Sequence, residues 1–274
     1  MHRVRYVPGT GLASDAVDLD RPVASIGAGG GLRTRQWEYE LGYRGISGVT
    51  RGAREVEAEL KVTSPDEAAR LRHVFDRDVM AGTPGSIVVD GEWRTGAYVV
   101  GSEPGTIYGA YLAATLKIVL VDGVWRRWHT ESFPISVPQG GSFLDLPYDL
   151  PYDLAQPAPV TSLGASDWFA APVRIIIYGP ASSPELSIGG NRYAFDVDVP
   201  DGGYLVCDGL EHTIKVVSPY GDVTDAFASG ERGGGQGSGS YCFEPVPAGT
   251  SHVTWDNSFG FDVQWAEEEG EPPW

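Results

Sequence analysis

The stretch "REVEAELKVTS" (54–64) alternates without interruption. Val56, Ala58, Leu60 and Val62 fall on one side of an extended chain, and Glu55, Glu57, Glu59 and Lys61 on the other. Successive side chains of a strand point to opposite faces, so this pattern demands a sheet with a core on one side and water on the other. A helix would scatter both sets around its axis. The same grammar recurs before and after it. "QWEYELGYRGISGV" (36–49) alternates and is rich in aromatics. "GSIVVDGEWRTGAYVVGSEP" (85–104) reads as a hairpin turning at Asp90-Gly91, a pair suited to the positive φ angles of a tight hairpin turn. "YGAYLAATLKIVLVDGVWRRW" (108–128) is a long strand region broken by a second turn at Asp122-Gly123.

One segment breaks the pattern. "TSPDEAARLRHVFDRDVM" (63–80) opens with Ser64 as N-cap, Pro65 at the first helical position and Asp66 and Glu67 in the first turn. Ala68, Leu71, Phe75 and Val79 keep helical spacing and form the expected apolar stripe. The first half is therefore a sheet domain with a single inserted helix. The second half offers only strands: "PVRIIIYGP" (172–180), "ELSIGGNRYAFDVDV" (185–199), "GYLVCDGLEHTIKVVS" (203–218) and "SHVTWDNSFGFDVQWAEEE" (251–269), with turns at Gly189-Gly190, Asp201-Gly202, Asp208-Gly209 and Asp256-Asn257. Regular short strands with turn signals argue for an antiparallel sandwich, and the order of elements leaves no room for a parallel nucleotide-binding sheet. The fold class is mainly β. "GERGGGQGSGS" (230–240) reads as a flexible exposed loop.

Charge divides the chain where composition does. Up to Leu144 there are 16 Lys and Arg against 17 Asp and Glu, a net of −1; after it there are 4 against 20, a net of −16. A half so acidic repels phosphate backbones, which excludes nucleic acid as its partner. At the break stands "LDLPYDLPYDL" (144–154), two copies of Leu-Pro-Tyr-Asp. Each proline removes a ladder donor and fixes φ, so Pro147, Tyr148, Asp149, Pro151, Tyr152 and Asp153 are expected to form an extended, semi-rigid connector. A duplication inside a tolerant loop would leave the same trace. The expected domains are 1–143, a connector at 144–158, and 159–274.

Catalytic signals are weak. None of the five histidines, His2, His73, His129, His212 and His252, sits in a paired ligand motif. "GAGGGL" (27–32) lacks the phasing and the basic residue of a phosphate loop, and "GQGSG" lacks the flanking strand and helix of a nucleophile elbow. Asp196 and Asp198, and Glu267 and Glu269, lie two apart on a strand face, a spacing that suits the solvent side of an edge strand better than an acid–base pair. Asp145, Asp149 and Asp153 lack the ligand alternation of a calcium loop. No catalytic, cofactor or metal role is expected. Cys207 and Cys242 are expected to be buried free thiols or a pair. No apolar run is long enough to span a membrane, and "MHRVRYVPGTG" lacks the apolar core of a secretion signal. The aromatic residues raise one binding hypothesis: Trp168, Trp255 and Trp265 could stack on sugar rings or on a protein partner.

The order of these pieces resembles the distal tail proteins of long-tailed phages, in the version seen in phages and prophages of actinobacteria-like hosts. The likeness rests on "SPDEAARL" followed by "GTPGSIVVDGEWRTGAYV", the Trp-rich "DGVWRRWHTESFP", the "DLPYDLPYDL" joint, "VRIIIYGPASSPELSIGG", and the closing "EPPW". The resemblance implies an N-terminal split β-barrel that closes a hexameric ring and a C-terminal galectin-like sandwich that points outward. It implies a non-enzymatic virion protein at the distal end of the tail, assembled in the host cytoplasm. Its partners would be itself, the tail tube protein, and the tail hub, baseplate or receptor-binding protein. The alternative is a host-recognition module whose second domain grips wall carbohydrate.

Overall fold

A computed structural model describes residues 3–10, 15–27, 29–108, 111–135, 161–166 and 168–272. The chain forms two compact units. The first runs to Arg127 and takes back the chain from Glu268 onward; the second spans Trp128–Glu267. The sequence reading gave 268–274 to the second domain and placed the passage between domains at 144–158. The Leu-Pro-Tyr-Asp repeat lies outside the described residues.

The first unit contains β1 (Val4–Val7), β2 (Val17–Asp18), β3 (Ala24–Ser25), β4 (Glu38–Gly42), β5 (Gly45–Thr50), β6 (Arg54–Val62), α1 (Pro65–Ala81), β7 (Gly85–Val89), β8 (Trp93–Tyr108), β9 (Tyr111–Leu120) and the start of β10 (Trp125–Phe133). Seven of these strands make a closed circuit. β2 pairs with β1, β1 with β7, β7 with β8, β8 with β9, β9 with β6 and β6 with β3, all antiparallel. The bridge between Asp20 and Ser25 joins the two ends. Closure removes the open edges that would otherwise pair with any passing strand. The alternation of β6 holds: Val56, Ala58, Leu60 and Val62 point into the barrel and the three glutamates point out. At the tip of the β7–β8 hairpin Asp90 and Gly91 both take positive φ, 53° and 80°, as the turn requires.

The helix begins as expected, with Ser64 Oγ accepting the N–H groups of Asp66 and Glu67. Its inward face differs by one residue. Leu71, Phe75 and Asp78 are buried, while Val79 is 41% exposed. Positions 71, 75 and 78 point one way on a helix of 3.6 residues per turn, and position 79 swings to the flank.

The second unit holds the rest of β10, β11 (Thr161–Gly164), β12 (Val173–Tyr178), β13 (Ala181–Ser182), β14 (Glu185–Ile188), β15 (Asn191–Ala194), β16 (Asp198–Val199), β17 (Tyr204–Asp208), β18 (Thr213–Val217), β19 (Val223–Asp225), β20 (Thr250–Trp255) and most of β21 (Phe261–Glu269). One sheet runs β19-β18-β17-β12-β21 and the other β11-β20-β14-β15. Between them Ile175, Ile177, Leu205, Phe261 and Val263 meet Leu163, Leu186, Ile188, Tyr193 and Val253. This is an antiparallel sandwich, as the strand spacing implied. The glycine-rich stretch 230–240 is pinned by its neighbours. Arg192 N donates to Gly239 O, Gly237 N to Glu244 Oε2, and Asn191 both donates to Tyr241 O and accepts from Tyr241 N. Cys207 and Cys242 are buried free thiols, and the Cys207 thiol donates to the Cys242 carbonyl at 3.3 Å.

Candidate assembly surfaces

The barrel holds its helix through one carboxylate. Asp78 is fully buried and accepts four hydrogen bonds: from Tyr6 Oη at 2.7 Å, Gly9 N at 3.1 Å, Thr10 N at 3.1 Å and Thr10 Oγ1 at 2.5 Å. Burial alone would raise its pKa. The bonds from Thr10, Tyr6 and Gly9 outweigh that and hold it below the ordinary carboxylate value. Burial, then the bond to Asp78, pushes the Tyr6 hydroxyl far above its usual range. Gly85 makes room for the pair, since a β-carbon there would lie 2.2 Å from Tyr6 Oη and 2.9 Å from Asp78 Oδ2. The Tyr6 ring stands edge-on to Phe75 at 5.0 Å. Strand β1 and helix α1 are thereby locked into one rigid piece.

The hairpin β4–β5 is a two-stranded sheet that pairs with no other strand among those described. Its register sets Tyr39 opposite Val49 and Leu41 opposite Ile46. The four side chains share one face, and Glu38 and Glu40, on either side of Tyr39, point to the other. All four apolar groups are exposed, Leu41 at 76%. The alternation read from the sequence was real, but the face it marks covers nothing within the described residues. At the base, the Arg51 guanidinium sits 4.0 Å over the Trp37 ring. An isolated two-stranded hairpin is marginal in water, and a contiguous uncovered apolar face marks an interaction site. A second apolar surface lies between α1 and the strands β6, β8 and β9, where a cavity of about 480 Å³ is lined by Leu60, Leu71, Phe75, Val99, Leu112 and Leu116 among others.

The tryptophans named for stacking do not come together. Trp255 is 7% exposed and belongs to the sandwich core, its indole N–H donating to Phe259 O. It shares strand parity with Ser251 and Val253, both buried, a signal present in the sequence. One face of Trp265 is covered by the His129 ring at 4.2 Å, and His129 in turn meets Glu267 at 3.2 Å. Trp168 is 83% exposed, beside exposed Phe169. A different set of side chains shares one side of the β12-β17-β18-β19 sheet: Tyr178, Tyr204, Val217 and Val223 stand in a single cross-strand row. Tyr178 donates to Asp262 at 2.7 Å, and that bond, with partial burial, raises its pKa to about 12.

The acidic pairs are held as surface groups. Asp198 accepts from Ser182 and Asp196 from Ser183. Among the described residues no three His, Cys, Asp or Glu side chains gather as a metal would need. Among the same residues no helix is long and apolar enough to cross a membrane.

With the barrel, helix and sandwich in view, the fold can be compared with solved structures. The chain shares its fold with phage tail-hub proteins. It superposes on the Dit protein of phage SPP1, described as a paradigm of the hub adsorption apparatus in phages infecting Gram-positive bacteria, with a TM-score of 0.55 and 11% identity over 97% of this chain and 99% of that one. It superposes on a chain of the phage P2 baseplate in its activated conformation with Ca, with a TM-score of 0.62 and 9% identity over 99% of this chain and all of that one. The same baseplate with Sr gives 0.59 and 11%, again over 99% and 100%. No protein-family profile matches the sequence, and no curated protein is similar to it in sequence. At such identities the likeness lies in architecture alone, and it covers both units.

Proposed function

We propose that this protein is a structural component of a phage tail tip. Six copies close into a ring that joins the tail tube on one side to the hub, baseplate or host-adhesion device on the other. The barrel unit closes the ring, and the galectin-like sandwich is the outward module. The role is non-enzymatic, and the protein resides at the distal end of the virion tail after assembly in the host cytoplasm. The observation that carries this reading is the uncovered apolar face of β4–β5. A chain whose whole length fits the hub fold also carries an amphipathic hairpin with nothing of its own to cover, which is what a subunit built to be completed by neighbours requires. The Leu-Pro-Tyr-Asp repeat, outside the described residues, is assigned the role of a spacer, so deleting one unit should leave ring closure intact.

The test is light scattering across a concentration series, with negative-stain images of the same samples, alone and with the tail tube protein. Closed six-membered rings with a central opening are expected. A monomer under all of these conditions would overturn the reading.

A further inference from the structure

A ring of identical subunits needs two different surfaces on each chain, one complementary to the other. The barrel has such a pair on opposed walls. Around the circuit β1-β7-β8-β9-β6-β3-β2, strand β6 lies three steps from β7 in one direction and four in the other. The outer side of β6 presents Glu55, Glu57 and Glu59 at alternate positions, all exposed. At about 3.3 Å of rise per residue the row of carboxylates is roughly 13 Å long. Their local bases are few and engaged. Lys117, which faces Glu57 across the ladder, is held by Glu103 at 2.9 Å, and Lys61 stands 3.7 Å from Glu59. Glu55 and Glu57 have no ion-pair partner among the described residues.

The wall made by β1, β7 and β8 is of the opposite character. A cavity of about 530 Å³ there is lined by four arginines, Arg3, Arg5, Arg21 and Arg94, against three aspartates, Asp18, Asp20 and Asp90, so its balance is basic by one charge. Arg5 and Arg94 stand in one cross-strand row, separated by Val88. They are thus about 9.5 Å apart by strand spacing, and Arg3 is about 6.6 Å along β1 from Arg5. Arg5 and Arg21 both bind Asp18, at 2.7 Å and 2.5 Å. The Arg3 and Arg94 guanidiniums are exposed and have no carboxylate partner among the described residues. Two acids without an ion pair among the described residues therefore lie on one wall, about 6.6 Å apart along β6, and two bases without one lie on the other, about 12 Å apart.

We infer that these walls are the two halves of the contact between copies of this chain, the glutamate row of one barrel seating in the arginine-lined cavity of the next. This rests on the ring reading and gives it residues. Strand β5 leads directly into β6, so the uncovered hairpin springs from the glutamate side, where the neighbour would sit.

Two variants test it. E55K/E57K makes both walls basic, and R3E/R94E makes both acidic; all four side chains are exposed, so circular dichroism should be unchanged. The wild-type protein is expected to form rings whose midpoint concentration rises more than about tenfold between 50 and 500 mM NaCl, because screening shortens the reach of exposed charges. Each variant alone should stay monomeric at concentrations where wild type closes. An equimolar mixture should form alternating rings, since each basic wall then meets an acidic one. Rings from either variant alone, or a mixture no better than its parts, would overturn the proposed contact and leave the hub reading standing. Absence of rings from wild type, with or without the tube protein, would overturn both. Should E55K/E57K misfold, E55Q/E57Q with the salt series serves in its place, and an unchanged salt dependence would count against the contact.

Discussion

Replacing Asp78 by asparagine should loosen the barrel without touching the sandwich, and should do so in a pH-dependent way. The carboxylate is fully buried and accepts four hydrogen bonds, two of them from backbone N–H groups. An amide of the same shape keeps one acceptor oxygen and turns a donor toward groups that also donate. Losing the charge-assisted part of these bonds and leaving one or two buried donors unsatisfied costs about 3 kcal/mol. Amide hydrogen exchange read by mass spectrometry separates the two units: peptides from β1, β7 and α1 should lose roughly 150-fold in protection at neutral pH, while peptides from β12, β17 and β20 should not change. The pH dependence follows from linkage. The pKa of Asp78 is lower in the folded protein than in the unfolded chain, so its stabilisation is fully present above the unfolded value near 4 and is lost as pH falls through the folded one. The gap between wild type and D78N should therefore be constant at neutral pH and shrink below about pH 4. A gap under 1 kcal/mol, or one that keeps its size down to the acid limit of folding, would refute the account of Asp78 as an ionised lock.

Gly85→Ala should destabilise the same unit by about 2–3 kcal/mol, because the new methyl collides with Tyr6 Oη and Asp78 Oδ2; thermal denaturation followed by barrel-tryptophan fluorescence would report it. Thr95→Val should instead raise stability by about 1 kcal/mol, since the buried Thr95 hydroxyl has no hydrogen-bond partner among the described residues; a lower urea midpoint would contradict this. Asn191→Ala frees the Tyr241 backbone, so limited proteolysis should cut the 230–240 stretch at least about tenfold faster, a loss of one or two hydrogen bonds' worth of local stability.

What could be read in advance was local. The cap of α1, the alternation of β6 and the Asp-Gly turn of β7–β8 depend on residues a few positions apart, and each formed where the pattern placed it. Asp78 was invisible because its partners lie 68 to 72 positions upstream, in a strand that reaches the helix only once the barrel closes. Taken alone, an aspartate near the end of an amphipathic helix looks like solvated surface. The face of β4–β5 was legible as apolar, but alternation says only that a face seeks cover, never what supplies it. Trp255 was a stacking candidate by residue type, and the parity it shares with Val253 marks it for the core. The charge break sits near Leu144, while compactness divides the chain at Arg127 and again at Glu267.

That second crossing imposes an order of manufacture. Arg126, in the first unit, takes Glu268 of the same unit as a partner at 2.8 Å, 142 positions further along the chain. At about 5–20 residues per second a ribosome needs on the order of 10 s to reach that glutamate after making the arginine. In the interval the entire sandwich is synthesised. The half of the protein that begins first is finished last, and a chain released early carries a barrel still missing its final pieces. The first unit can therefore be completed only in a chain whose sandwich has already been made.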